Sequence, residues 1–336
     1  MANRVQRGDV ASIILPDEVS EELLRGAKES SVVQAYSRGI PMLAQNKVIT
    51  EAEVNQANVF WVGEVNRKST DAPTMTQKTW TMSAGELAVI IPLDEDVQDD
   101  ATVDLFELYK VPIETAIANA LDAAALFGTT KPTSWGTLGT DIIPNAVVAG
   151  HGFEEDATPT DAELLTLISG SGLVPGTPDG AMQALEEDGY EATAAVAHTR
   201  FKSRLRNVKD LDERYIFGDA VSAGVPGSLF GMPLSFVKNS VWPAPTGVAG
   251  DAHLVIGDWS QSFLGTRKGI KYKVFDQGTI TDGAGNVIYS LMEQDMVALR
   301  VTARYGFKVI ADDTADGETL AAGEPFPFAI VQPEIV

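Results

Sequence analysis

A chain of 336 residues exceeds the usual single-domain size, and with 44% hydrophobic and 21% charged residues it can bury a large core, which excludes wholesale disorder. Its 25 basic and 47 acidic residues leave a net charge of −22. No basic patch is visible in the sequence, since the densest basic group (Lys202, Arg204, Arg206, Lys209) alternates with apolar residues as a solvated helix would; this argues against direct nucleic-acid binding. Cysteine is absent, so disulfides, thiolate metal sites and cysteine nucleophiles are excluded. No stretch approaches the roughly 18 consecutive apolar residues of a membrane span, and MANRVQRGDV lacks the apolar centre of a signal peptide, so a soluble, unexported chain is expected.

In chain order, the segment through about Val32 is polar apart from one amphipathic run. Ile14, Leu15, Val19, Leu23 and Leu24 recur at helical spacing, with Asp17, Glu18, Glu21 and Glu22 on or near the other face. This predicts a short helix, either docked on another surface as an arm or packed on its own domain. From Val59 to about Pro92, NVFWVGEV, the polar NRKSTDAPT, MTQKTWTM and ELAVIIPL read as a long hairpin with a turn-rich tip and with Trp61 and Trp80 as cross-strand neighbours. A two-stranded arm is barely stable alone in water, so it is expected to lie on another surface.

The run that follows repeats Phe106, Tyr109, Ile113, Ile117, Ala120, Ala124 and Phe127 every three or four residues. It predicts a long helix over about 103–127, capped by Thr102 or Asp104 and ended by Gly128 and Pro132. At 1.5 Å per residue this is a rod of roughly 35 Å, with Pro112 expected to bend it or split off its first turn. Between about Ile142 and Tyr289, DAELLTLI, MQALEED and TRFKSRLRNVKD read as helices, and TAAVA, PLSFV, HLVIGD and IKYKVFD as strands. Near the end, Val297, Leu299, Val301, Ala303, Tyr305, Phe307 and Val309 alternate with Ala298, Arg300, Thr302, Arg304, Gly306 and Lys308. They predict a long ribbon with one face on a core, the long helix as its partner, and the other face exposed.

Enzyme signatures are missing. His151, His198 and His253 stand outside any HExxH context, and the sequence has no Walker-type loop and no GxSxG elbow. GSGLVPG at Gly170–Gly176 follows a helix-like run and reads as a linker. The acidic groups Asp94, Glu95, Asp96, Asp99, Asp100 and Asp312, Asp313, Asp316 lack EF-hand spacing and read as solvated loops or helix lead-ins. Nothing singles out a catalytic pair among the carboxylates.

The order of parts and five runs carry a resemblance: LDAAALFGTTKPTSWGTL, AHTRFKSRLRNVKD, LFGMPLSFV, HLVIGDWSQSFLGTRKGIKYKVFD and MVALRVTARYGFKV. Taken together in this order, they resemble the tailed-bacteriophage major capsid protein family, of the Hong Kong 97 fold class. The resemblance implies an α+β fold with an N-terminal arm (1–32) and an extended hairpin loop (59–92). It further implies a peripheral domain (33–58, 93–140 and 290–336) holding the spine helix, and an inserted axial domain (141–289). By the same resemblance the chain is a structural subunit, not an enzyme, with no cofactor and no metal. It would self-assemble through pentamers and hexamers into an icosahedral virion shell around double-stranded DNA, without sequence-specific binding and without a membrane. A separate scaffolding protein, a portal and decoration proteins would be its partners, with assembly in the host cytoplasm. Trp61, Arg67, Lys68, Lys78 and Trp80 on the hairpin are the inter-subunit contact candidates. Some relatives cross-link a hairpin lysine; here no Asn or Glu partner can be matched, and Lys68 and Lys78 read as solvated or ion-paired. Two other readings are an encapsulin-like bacterial compartment and, from another class, a soluble carboxylate-dependent enzyme.

Overall fold

The computed structural model describes residues 31–54, 75–99, 105–136, 139–156, 160–174, 176–209, 212, 214–216, 227–237, 241–243, 250–311 and 320–334. The amphipathic run at Ile14–Leu24 and the capping candidates Thr102 and Asp104 lie outside them.

The longest helix, α3 (Leu105–Phe127), follows from the apolar repeat. Ile113, Ile117, Leu121 and Ala124 bury one stripe against a core shared with Leu299, Val301, Ala303 and Tyr305 of β13 (Met296–Val309), as the periodicity of both segments requires. Gly128, with φ 68°, ends the helix, and its N–H and that of Thr129 close on the carbonyls of Ala124 and Ala123. Pro112 lies inside α3 on an exposed position, and the helix runs through it without losing a turn. The split of the first turn is therefore not found. An exposed proline leaves the carbonyl four residues earlier open to water, which lowers the cost of continuing the helix.

β13 is not an edge ribbon. Among the described residues it lies inside a four-stranded sheet in the order β1 (Arg38–Pro41), β10 (Ser262–Phe275), β13, β4 (Gly85–Asp94). Its second face is covered at both ends, so Ala298, Thr302 and Lys308 are buried and Arg300 is exposed; the expectation of one fully exposed face is corrected. Coverage at one end comes from β2 (Asn46–Val54) and β3 (Met75–Ser83), a separate antiparallel pair. At the other it comes from β11 (Thr279–Thr281) and β12 (Val287–Ser290), whose Ile280 and Tyr289 pack with Phe275 and Ala298. The hairpin thus begins at Asn46, ahead of the expected Val59, and ELAVIIPL is not part of it. After Ala84 the chain enters the four-stranded sheet as β4. Gly85 marks the junction, because a Cβ there would stand 2.4 Å from Pro132 Cγ.

The second layer is a six-stranded sheet, β5–β14–β9–β6–β8–β7. It comprises β5 (Gly152–Glu154), β6 (Ala194–His198), β7 (Ser228–Leu229), β8 (Met232–Val237), β9 (Leu254–Gly257) and β14 (Phe328–Gln332). Every residue of β6, β9 and β14 is buried, as strands covered on both faces demand. Helices α4 (Ile142–Ala149), α5 (Asp161–Ser169), α6 (Ala181–Glu187) and α7 (Phe201–Asn207) surround it. The expected helices and strands of the middle segment are present. The placement of 290–336 with the long helix is corrected for its last strand, since β14 pairs with β5 and β9.

Helix α1 (Val32–Tyr36) joins the two layers. Asp122 of α3, 3% exposed, accepts from Ser31 Oγ at 2.5 Å, Val32 N at 2.9 Å and Val33 N at 3.2 Å. The carboxylate therefore satisfies the amides that α1 cannot pair internally. Tyr36 then reaches across, its hydroxyl 2.6 Å from Ser235 Oγ and its ring 5.6 Å from that of Trp259. Asp122→Ala is expected to cost about 2–3 kcal/mol, because three donors lose a charged acceptor in a buried site. Urea unfolding of the purified chain measures it, with Asp122→Asn retaining part of the stability.

Candidate contact surfaces

The hairpin is built to project. Its ladder runs from Asn46↔Ser83 out to Val54↔Met75, and nine residues at about 3.3 Å each make an arm of roughly 30 Å. Its root is gripped. Trp80 and Met82, with Met42 and Ala84, pack on Phe263 and Ile310 of the body. On the opposite face Val48 is 56% exposed, and Leu43 just before the hairpin is fully exposed.

Trp80 was expected to meet Trp61 and to offer itself to another subunit. Its cross-strand partner is Ile49, and at 2% exposed it anchors the arm to its own chain. Lys78 stands opposite Glu51, further out on the same face, which places opposite charges in register. Trp61, Arg67 and Lys68 lie outside the described residues.

The six-stranded layer has a second set of exposed apolar residues that periodicity does not reveal. Leu173 and Val174 are exposed in the loop after α5. Phe230, 49% exposed, shares the two-residue turn between β7 and β8 with Gly231, at φ 49° and 86°. Two positive φ values suit a hairpin turn, but an aromatic residue there is uncommon. LFGM carries that signal in the sequence, as an apolar residue where turn formers usually stand.

The same layer holds a polar group that is largely buried. Arg204 of α7 is ion-paired with Glu155, whose pKa is raised chiefly by burial against the lowering effect of Arg204. His253, stacked on Phe201, has its pKa pushed down to about 4, first by burial and then by Arg204, His198 and Arg200. Neutral His253 is therefore the folded form. The unfolded chain takes up the proton first, near pH 6.5, so stability falls from about pH 6.5 down to about pH 4 and is fully present above that window. His253→Gln is expected to remove roughly 2–3 kcal/mol of this acid sensitivity, read as the difference between the two proteins' stabilities at pH 7 and pH 4.

Among the described residues no group of three or more His, Asp or Glu is placed to hold a metal ion. Of the two acidic clusters, Glu95 and Asp96 sit exposed on α2 (Glu95–Asp99), while Asp312, Asp313 and Asp316 lie outside the described residues.

The model of the phage capsid family matches residues 11–315. The chain belongs to the phage capsid family. Phage capsid family relatives span nearly all of it: the major capsid protein of Staphylococcus phage 80alpha is 26% identical over 311 residues, covering 92% of this chain and 85% of that protein. A solved chain of Microbacterium phage Oxtober96 superposes with a TM-score of 0.72 at 22% identity, covering 99% of this chain and 100% of that one. One of Mycobacterium phage Cain gives 0.70 at 27%, with 99% and 100% covered. The α+β, Hong Kong 97-like capsid fold follows, and with it a structural subunit in place of the carboxylate-enzyme reading. As a phage capsid family member, the chain assembles with copies of itself into shells that form the virion capsid.

Proposed function

We propose that the chain is the major head subunit of a tailed bacteriophage, closing through pentamers and hexamers into an icosahedral shell around a double-stranded DNA genome. The observation that carries this reading is the hairpin: its root is packed on its own body, and beyond the root it extends an exposed face, with Val48 between Asn46 and Thr50, that a second copy can cover. The four-stranded layer with α3 serves as the peripheral domain, with Pro112 setting the helix curvature. The six-stranded layer serves as the axial domain, its Leu173, Val174 and Phe230 meeting their counterparts around the symmetry axes. Residues 1–32 act as an arm, and Arg67, Lys68 and Lys78 line the hairpin's contact with its neighbour.

A net charge of −22 suits a wall that must not trap its polyanionic cargo. Assembly takes place in the host cytoplasm, with a scaffolding protein, a portal and decoration proteins as partners. These phage relatives support a genome container over an encapsulin-like compartment. Expression of the full chain followed by sedimentation and cryo-electron microscopy tests the proposal. Closed shells are expected; monomers and dimers under every assembly condition would overturn it.

A further inference from the structure

The four-stranded sheet has two charged features of opposite sign. On the face away from α3, antiparallel pairing sets Lys268 beside Arg304 and Lys273 beside Arg300, with Lys271 beside Thr302 between them. Five cations thus gather on one face of a chain whose net charge is −22; the carboxylates that β4 sets on that face are Glu86, ion-paired with Arg304, and Asp94 at the far end, opposite Met296. Phe275 sits under both Lys273 Nζ and the Arg300 guanidinium, at 4.6 and 4.7 Å, which holds these two charges in place. In their midst Ile90 of β4, opposite Arg300, is 47% exposed.

The second feature is the end of the same sheet. β4 runs into α2, whose Glu95 and Asp96 are exposed, and the Glu95 N–H donates to the Asp295 carbonyl at 3.0 Å. That bond joins them to the exposed Glu293 and Asp295, with Met292, 75% exposed, beside them. Four carboxylates with an apolar residue among them match, in sign and in kind, a basic face with an apolar residue among its cations.

We infer that the basic sheet face of one subunit is the seat for the acidic sheet end, Glu95, Asp96, Glu293 and Asp295, of a second copy. The two patches occupy different places on one sheet, so each subunit can offer its basic face to one neighbour and its acidic end to another. The contact is head to tail, the type that generates rings. It also supplies local attraction between subunits whose total charges repel. This inference rests on the shell reading.

Charge reversal in the full chain tests it. Lys271→Glu with Lys273→Glu, and separately Glu95→Lys with Asp96→Lys, are each expected to lower the fraction of protein in particles by about tenfold or more, while the four changes together restore it. Circular dichroism and thermal melting verify that each variant folds. Particles formed equally well by either reversed variant, or a combined variant no better than the single reversals, would overturn the inference and leave the shell reading intact. Shells that form normally from the lysine-reversed variant but retain no DNA would assign the face to nucleic acid and overturn it as well. A parent chain that forms no particles would instead sink the shell reading, and this inference with it.

Discussion

Replacing Trp80 by alanine is expected to lower the unfolding free energy by about 3–5 kcal/mol, the usual cost of emptying a buried indole site. The side chain is enclosed by Met42, Met82, Ala84, Phe263 and Ile310, where a two-stranded arm meets the four-stranded sheet. The surrounding side chains have little room to close the gap. The indole's neighbours Met42 and Met82 rest on Gly265 and Gly306, paired across β10 and β13, and a Cβ on Gly265 would stand 2.4 Å from Met42 Sδ and 2.5 Å from Met82 Cε. The two methionines are already seated on the sheet backbone, so collapse around the missing ring would need the strands themselves to bend. Trp80→Phe should recover much of the loss, since the site is dominated by apolar contact. Urea unfolding of the unassembled subunit gives the number; a change below about 1 kcal/mol for Trp80→Ala would mean that the hairpin root is not packed in this way.

The same residue shows where the sequence was legible and where it was not. The helix α3 and the strand β13 each bury one stripe against the other, so their periods of 3.6 and 2 are written plainly in Ile113, Ile117 and Leu121 and in Leu299, Val301 and Ala303. The hairpin's first strand, NKVITEAEV, leaves much of its surface in water and needs no clear alternation, so its start at Asn46 was invisible to that test. Only Ala84 separates β3 from β4, and nothing in the local pattern says that the chain changes sheets there. β14 is apolar on both faces and too short to show a period, and its partners β5 and β9 are far away in the chain. Charge was misread for a related reason. Lys271 and Lys273 are separated from Arg300 by a whole excursion through β11 and β12, so the basic face exists only once the antiparallel register is known. Asp122 did leave a trace, as a carboxylate amid the apolar run LDAAALF, but its partners at Ser31–Val33 could not be named without the fold.

Joining Val54 to Met75 by a two-residue Asn-Gly turn, with residues 55–74 removed, should separate folding from assembly. The ladder from Asn46↔Ser83 to Val54↔Met75 keeps its partners, and the root cluster around Trp80 is untouched, so the shortened chain should melt within a few degrees of the parent. Assembly should fail. The removed stretch carries Trp61, Arg67 and Lys68, the expected contacts with a neighbouring copy, and each subunit of a closed shell would lose them. A loss of about 3 kcal/mol per contact is already a hundredfold weaker association, and a shell multiplies the deficit over all its subunits. Sedimentation should therefore find the variant as free subunits or small rings at concentrations where the parent forms particles. A variant that closes shells of normal size and yield would show that the hairpin is dispensable, and would move the stabilising contacts to the arm, the six-stranded layer and the charged sheet.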